Sequence, residues 1–400
     1  MRTFETKTKL MPHQIAAVEK ILPTRVGALF MEMGTGKSRT AIEIAKIRSR
    51  RIDKIVWLCP VSLKETVRQE ILKHTNCRDI YVFDDKTNEM SVPEVRWYIV
   101  GIESMSSSNR VVATVNKLIT DRTMVICDES SYIKGHRAKR TERITFISAK
   151  AKYRLALTGT PISQGVVDLF AQMRFLSPKI LGYRSFYSFA ANHLEYSDKY
   201  PGVIVRSHNL GYLAAKIQPY VYQVTKDECL DLPDKLYDYR SFSLTAEQRS
   251  WYEQVKWDIL LELDMYNNDY YDQFFNSIAI FRLFSALQQV TSGFLNWKGE
   301  RYEFESERPT VLVDLINNLP EDDKIIIFCK FQYDIDTIKK ALSVEFGQDS
   351  IAAFDGRDNE KKRYAAVEKF AQEARFLVVT QSTGGHGFNF QDLACYAIFY

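Results

Sequence analysis

The residue types and spacings best suited to chemistry lie in Met31–Ser38, MEMGTGKS. Gly34 and Gly36, one residue apart, let backbone N–H groups curl around a polyphosphate, and a helix starting directly behind them aims its positive end at the same point. Lys37 then reaches the β- and γ-phosphates of a nucleotide, and Ser38 a Mg²⁺ ion. A second chemical pair is Asp128–Glu129, directly after the apolar run Met124–Cys127. Such a pair is by itself most often surface charge. Behind a buried strand and downstream of a phosphate loop, Asp128 is placed to hold Mg²⁺ through water, and Glu129 to orient or deprotonate a water beside the γ-phosphate.

Both groups need elements to hold them. The apolar run Val26–Phe30 and the helical spacing of Thr40–Arg48 supply the strand and helix that flank a phosphate cradle, which disfavours a chance Gly-Lys-Ser turn. Lys54–Cys59 is an apolar run closed by Pro60, followed by a helix opening at Ser62 with Leu63, Val67, Ile71 and Leu72. Trp97–Ile102, Met124–Cys127 and Arg154–Leu157 are further strand candidates, the last ending in Thr158, Gly159, Thr160 and Pro161. Short apolar strands alternating with helices predict a parallel α/β sheet that binds ligands at its strand C-termini. Upstream, Leu10–Gln14 precede an amphipathic helix with Ile15, Val18, Ile21 and Leu22, ended by Pro23.

The alternation resumes at Lys324–Cys329, with a helix over Tyr333–Leu342 and a strand over Phe376–Thr380, then Thr383, Gly384, Gly385, Gly387 and Asn389. Between the two patterns, Leu176–Tyr220 is aromatic-rich and predicts a small helical protrusion whose rings pack a core, with base stacking as the alternative. Leu244–Leu263 and Phe274–Val290 read as two helices around an acidic tip, Asp264–Asp272, which does not suit DNA phosphates.

With 400 residues and 46% hydrophobic content, the chain has room for two or three domain-sized cores. It has no apolar stretch of membrane-spanning length and no secretory h-region, so an intracellular, cytoplasmic protein without a membrane partner is expected. The six cysteines, Cys59, Cys77, Cys127, Cys229, Cys329 and Cys395, show no C-x-x-C pair and read as buried thiols, neither disulfides nor structural zinc ligands. A net charge of +4 does not by itself call for a polyanion. The run Arg137, Lys139, Arg140, Arg143, Lys150, Lys152 and Arg154, opposed only by Glu142, reads first as a solvated face and second as a nucleic-acid contact.

The strings LMPHQ, MEMGTGKS, WLCPVSLKETVRQEI, VICDESSYIKG, LALTGTPISQGVVDLFAQMRFLSP and FLVVTQSTGGHGFNF resemble, in order, the motifs of superfamily 2 helicase-like ATPases. Among these they most resemble the Swi/Snf-type DNA translocases, whose acidic-Met-Gly-x-Gly-Lys loop accounts for Glu32 and Met33 and for Met31 where the general pattern has glycine. PYVYQVTKDECLDLPDK and SLTAEQRSWYEQV resemble that subfamily's segment between lobes. The resemblance implies an α/β fold of two RecA-like parallel-sheet lobes with helical protrusions. It places a first lobe at 1–225 with a protrusion at about 177–220, a crossing at 226–243 marked by Leu232, Pro233 and Lys235, a second protrusion at 244–310 and a second lobe at 311–400.

It also implies ATP and Mg²⁺ as cofactors and DNA, chiefly duplex, as partner. ATP would be held by Gln14, which reads adenine, by Met33, Gly34, Thr35, Gly36, Lys37, Ser38 and Arg39, and by Gly385 and Gly387. Ser38 and Asp128 would hold the metal, and Lys37, Asp128 and Glu129 would carry catalysis. Pro60, Ser62, Thr158, Thr160, Gln381, Ser382 and Gly384 would meet DNA. Ser130 and Ser131 stand where the family has Ala-His, which leaves the link from nucleotide to DNA without its usual histidine. Tyr222 and Gln223 replace an arginine pair.

No arginine follows Arg375, so the family's Q-x-x-x-x-R-x-x-R helix is not present. The expectation is an incomplete second lobe, an N-terminal portion of a longer protein and weak activity of this portion. Compact spacing suggests a prokaryotic or phage-like member. The function expected is DNA-dependent ATP hydrolysis coupled to translocation and remodelling of DNA or protein–DNA complexes. A nucleotide-gated DNA-binding module without turnover and a strand-separating RNA or DNA helicase are the alternatives.

Overall fold

The computed structural model describes residues 3–163, 165–198, 202–231, 235–266, 272–384, 390 and 393–400. The chain divides into two compact units, Met1–Asp234 and Lys235–Tyr400.

The first unit runs α1 (Pro12–Ile21), β1 (Val26–Met31), α2 (Lys37–Ile47), β2 (Lys54–Cys59), α3 (Lys64–His74), β3 (Ile80–Val82), β4 (Trp97–Gly101), α4 (Ser104–Ser107), α5 (Asn109–Leu118), β5 (Thr123–Cys127), α6 (Lys139–Ser148) and β6 (Tyr153–Thr158). It continues through α7 (Val167–Leu176), α8 (Pro178–Leu181), α9 (Phe186–His193), β7 (Leu194–Tyr196), β8 (Ile204–Ser207), α10 (Leu210–Ile217), β9 (Val221–Val224) and α11 (Lys226–Cys229). Seven strands form one parallel sheet in the order β3-β4-β2-β5-β6-β1-β9.

The central strands β1, β4 and β5 are buried at every position. A parallel strand covered on both faces reads as an unbroken apolar run, which is why these were visible in the sequence. Side chains still alternate between faces. Leu29, Met31, Ile55, Trp57, Met124 and Ile126 pack with α1, α2 and α3, whereas Ala28, Phe30, Val56, Leu58, Val125 and Cys127 pack with α5, α6 and α7.

Three segments differ from expectation. Val221–Val224 is a strand pairing with β1, Tyr222 opposite Leu29 and Gln223 opposite Phe30. The aromatic region after Leu176 is not purely helical, because β7 and β8 form an antiparallel hairpin within it. The two-residue loop Lys298–Gly299, with φ of 51° and 88°, closes a second hairpin where only helices were expected. Positive φ at both central residues matches the twist of the flanking strands.

The second unit contains α12 (Ala246–Tyr266), α13 (Asp272–Ser292), that hairpin as β10 (Phe294–Trp297) and β11 (Glu300–Glu303), α14 (Arg308–Asn317), β12 (Ile325–Cys329), α15 (Gln332–Phe346), β13 (Ile351–Phe354), α16 (Glu360–Gln372), β14 (Phe376–Thr380), α17 (Gln381–Gly384) and β15 (Tyr396–Phe399). Its parallel sheet has the order β13-β14-β12-β15. Leu312, Ile316, Ile335, Ile338 and Leu342 cover one face, and Phe370 and Ala374 the other. Val255, Ile259, Ala286 and Val290 pack α12 on α13 beside Leu295 and Trp297 of the hairpin.

Cys59, Cys127 and Cys329 are buried thiols, as read, but Cys77 and Cys229 are half-buried and Cys395 is exposed at the start of an edge strand. Among the described residues no helix is long and apolar enough to cross a membrane.

Candidate active site

The phosphate loop joins β1 to α2. Gly34 and Gly36 have φ of +87° and +85°, a region that favours glycine, and Gly36 is the N-cap of α2. No side chain caps this helix, so its first-turn amides are free of intrahelical partners and point where an anion would sit. Thr35 shapes the loop from within, its N–H and Oγ1 both donating to Glu32 O at 3.3 and 2.8 Å. Thr35 O in turn accepts His13 Nε2 at 2.7 Å and Gln14 Nε2 at 3.2 Å, both from the buried face of α1. Glycine is favoured there by torsion, and a Cβ on Gly36, 2.1 Å from Gln14 Nε2, would displace the Gln14 amide.

Glu32 has a structural role that sequence reasoning missed. Its Oε2 accepts the Lys226 N–H at 2.8 Å, and its own N–H donates to Val224 O at 3.1 Å. The loop is thereby tied to β9 and to the start of α11. Gln14 Oε1 accepts the Met11 N–H at 3.0 Å, which leaves its amide one lone pair and one N–H for a base edge. Met33 and Gly34 are exposed on the loop, and Ser38 is half-buried in the first turn of α2. Arg39 departs from expectation: its guanidinium donates to Thr8 Oγ1 at 2.8 Å and Thr8 O at 2.6 Å and pairs with Glu43 at 2.9 Å. That side chain fastens the N-terminal segment to α2, so only the Arg39 backbone is available to a nucleotide.

Lys37 Nζ donates to Met31 O at 3.0 Å and Glu32 O at 3.4 Å. Burial lowers its pKa, and the negative charges of Glu129 and Asp128 oppose that shift. The three chemical side chains therefore share one local field although they are about ninety residues apart in sequence.

Asp128 is buried at the end of β5, with its N–H donating to Leu58 O at 2.7 Å. Its Oδ1 accepts the Glu129 N–H at 3.0 Å and its Oδ2 the Trp57 indole N–H at 3.2 Å. Burial, and then the Glu129 charge, push this carboxyl up to about 6, while Trp57 and Lys37 pull it back. Glu129 turns the chain from β5 into the short helix Ser130–Ile133 at φ 47°, ψ 56°, an uncommon conformation for a residue with a side chain. Trp57 was not singled out from sequence. The available signal was a hydrogen-bond donor in an otherwise apolar buried strand interior.

The third segment follows β6. Thr158 is buried and its Oγ1 accepts the Thr160 N–H at 3.1 Å, while Thr160 is exposed. Gly159 backs onto the phosphate loop, where a Cβ would lie 3.3 Å from Met33 N and 3.4 Å from Met31 O. Because β5, β6 and β1 are consecutive in the sheet, the acid pair, Thr158–Pro161 and the phosphate loop emerge side by side at their C-terminal ends. Pro60 and Ser62 leave the next strand, β2, with the Val61 N–H held by Glu103 Oε2 at 3.0 Å. In the second unit Gln381, Ser382 and Gly384 form α17 directly after β14, with Thr380 Oγ1 2.6 Å from Thr383 Oγ1. Gly385, Gly387, Asn389, Leu232 and Pro233 lie outside the described residues, as do positions 267–271 of the acidic tip.

Of the basic run, Arg137, Lys139, Lys150 and Lys152 are exposed, as in a solvated face. Arg143, half-buried, donates to Met105 O and Asn109, and Arg154, also half-buried, to Leu176 O and Ser148 O, while at the surface Lys150 donates to Asn116 and Arg137 to Tyr187.

Comparison with known proteins places the chain in a family. Residues 13–293 match the SNF2-related domain and residues 307–400 the helicase conserved C-terminal domain. An uncharacterised ATP-dependent helicase of Mycoplasma genitalium is 27% identical over 268 residues, 66% of this chain and 24% of that protein. The putative ATP-dependent helicase/translocase YwqA of Bacillus subtilis is 26% identical over 279 residues, 66% of this chain and 28% of its own. The chain thus spans about a quarter of the length of these curated relatives. The solved SWI2/SNF2 ATPase core of Sulfolobus solfataricus in complex with dsDNA aligns over 95% of this chain and 80% of its own, with 22% identity and a TM-score of 0.49. Since the SNF2-related domain accounts for residues 13–293, well over half of the sequence, the chain belongs to the SNF2-related family.

Proposed function

We propose that this chain is the ATP-hydrolysing core of a motor that moves along duplex DNA. The observation that carries the reading is the convergence of Lys37, Asp128 and Glu129 in one partly buried field beside a glycine loop and an uncapped helix start. The name of the Bacillus relative, an ATP-dependent helicase/translocase, supports it.

The donor set suits Mg·ATP. Loop amides and Lys37 bind and orient the polyphosphate, Gln14 meets the base, and Ser38 and Asp128 supply the oxygen ligands that Mg²⁺ prefers. Mg²⁺, when bound, neutralises charge developing on the β- and γ-phosphate oxygens. Glu129 orients the attacking water and accepts its proton, for which its carboxylate must be ionised.

Ser62, Thr160, Gln381 and Ser382 contact DNA phosphates, so binding is independent of sequence and weakens with salt, whereas Pro60, Thr158 and Gly384, which are buried, shape the backbone beside them. Residues 1–225 act as one lobe and 311–400 as the other, joined by a crossing at 226–243, with 244–310 as a protrusion. The protein works inside the cell.

Steady-state ATP hydrolysis at low salt, with duplex DNA, single-stranded DNA, RNA or no polymer, tests this. Duplex DNA is expected to stimulate hydrolysis most. Lys37→Ala and Glu129→Gln are each expected to lower the rate by about 100-fold or more. ATP and DNA binding without hydrolysis would replace the motor with a nucleotide-gated binding module.

A further inference from the structure

Ser130, adjacent to Glu129, is wholly buried, and its Oγ donates to Gln172 Oε1 at 2.7 Å. Gln172, equally buried on α7, turns its NH₂ to two main-chain carbonyls, Pro161 O at 2.7 Å and Asp168 O at 3.0 Å. Carbonyl oxygens only accept, so the amide has one possible orientation and the hydroxyl has to be the donor. Around Gln172 the same helix contributes Leu169, Phe170, Met173, Phe175 and Leu176 to the core. An amide among such neighbours is tolerated because both of its N–H groups and its oxygen are bonded.

The linked segment is held from both sides. Asp168 Oδ2 accepts the Ser163 N–H at 2.8 Å and Oγ at 3.0 Å, with Lys134 Nζ 3.7 Å away. On the other flank Gly159 packs against the backbone of Met31 and Met33. The stretch from Thr158 to Ser163 is therefore lodged between the phosphate loop and the residue that follows the general base.

We propose that Ser130 and Gln172 are positioning residues that transmit nucleotide binding from the acid pair to the Thr158–Ser163 segment. Resting on the hydrolytic reading of Lys37, Asp128 and Glu129, this assigns the link between ATP and DNA sites to two buried neutral side chains. A displacement at Glu129 carries Ser130 with it, and the two short hydrogen bonds carry it on to Pro161, because a packed core shifts between discrete arrangements and does not deform smoothly.

Ser130→Ala removes the first bond, Gln172→Met removes the whole link at similar volume, and the double variant tests whether the two act as one unit. Amide hydrogen exchange of residues 158–163 is measured with and without Mg·ATPγS, alongside nucleotide affinity and hydrolysis with and without duplex DNA. Thermal melting by circular dichroism confirms that each variant is folded.

In the unsubstituted chain, nucleotide is expected to slow exchange in this segment. In either variant that response disappears while nucleotide affinity and basal hydrolysis stay within about threefold, and DNA stimulation falls by about 5- to 100-fold, the range of ordinary coupling free energies. The double variant is expected to be no worse than the more severe single one. Retention of the exchange response in Gln172→Met, or its absence in the unsubstituted chain, would overturn the inference. A segment that responds to nucleotide in a chain that does not hydrolyse ATP would instead sink the hydrolytic reading and leave the link standing.

Discussion

The indole N–H of Trp57 donates to Asp128 Oδ2 at 3.2 Å, across the boundary between two neighbouring strands. Trp57 pairs in register with Ile126, so Asp128, two residues on, presents its side chain on the same face of the sheet. A buried neutral donor thus holds one oxygen of the carboxylate while the Glu129 amide holds the other. The acid keeps its orientation even though Glu129 and burial both oppose its ionisation.

Trp57→Phe keeps an aromatic ring against Trp97 and removes the donor together with part of the ring volume. A hydrogen bond to a charged group contributes about 1.5–3 kcal/mol, and a loss of that order is expected in urea unfolding. Nucleotide affinity should weaken in Mg²⁺ and stay nearly constant in EDTA. An equal loss under both conditions would show that the indole acts through packing alone.

Asp128 predicts an unusual pH dependence of stability. Folding raises its pKa from 3.8 to about 6, so the folded state binds this proton more tightly than the unfolded one. The stabilisation is complete below about pH 4 and is lost as pH rises through about 6. Asp128→Asn, which does not titrate, is expected to be inactive and, in EDTA, to lose the decline in stability that the unsubstituted chain shows between about pH 4 and 7.5, although its NH₂ group must face one of the two N–H donors.

Gly36→Ala meets two obstacles, the +85° torsion and the Gln14 amide. The torsion alone costs about 1–2 kcal/mol. Loss of nucleotide binding and a lower melting temperature are expected. Adding Gln14→Ala should remove the collision but leave the torsional cost, so stability is expected to return only in part.

Gly384→Ala tests the second unit in the same way. Its Cβ would fall 2.4 Å from Val379 Cγ2 and 2.9 Å from Val379 Cβ, both in a buried strand. Overpacking of this kind costs about 1–3 kcal/mol. Hydrogen-exchange protection of residues 376–384 should fall while that of the first unit's strands is unchanged. Val379→Ala in the same chain should restore part of it.

The central strands and the phosphate loop were legible because their causes are local. Val26–Met31, Ile55–Cys59 and Met124–Cys127 are apolar throughout because both faces of a central parallel strand are covered. Strand β3 is a short apolar run, Ile80–Val82, half-buried at the sheet edge and not singled out from sequence, and β9, partly exposed beside β1, has its run broken by Gln223. They become strands by pairing with a neighbour. The hairpin at Lys298–Gly299 lacked the Asn-Gly or Asp-Gly pair that usually marks such a turn.

The sequence by itself determined which residue types could handle phosphate and metal, because glycine torsions, a helix start and an acid pair at a strand end are properties of a few adjacent residues. Tertiary structure alone decided their partners. Strand order placed Trp57 on Asp128 across 71 positions, and α7 delivered Gln172 to Ser130 across 42. It also turned Arg39 onto Thr8, and Arg143 and Arg154 of the basic run onto neighbouring carbonyls. A long side chain can satisfy its charge or its hydrogen bonds in many places, and which of them is within reach is fixed only when distant segments pack against one another.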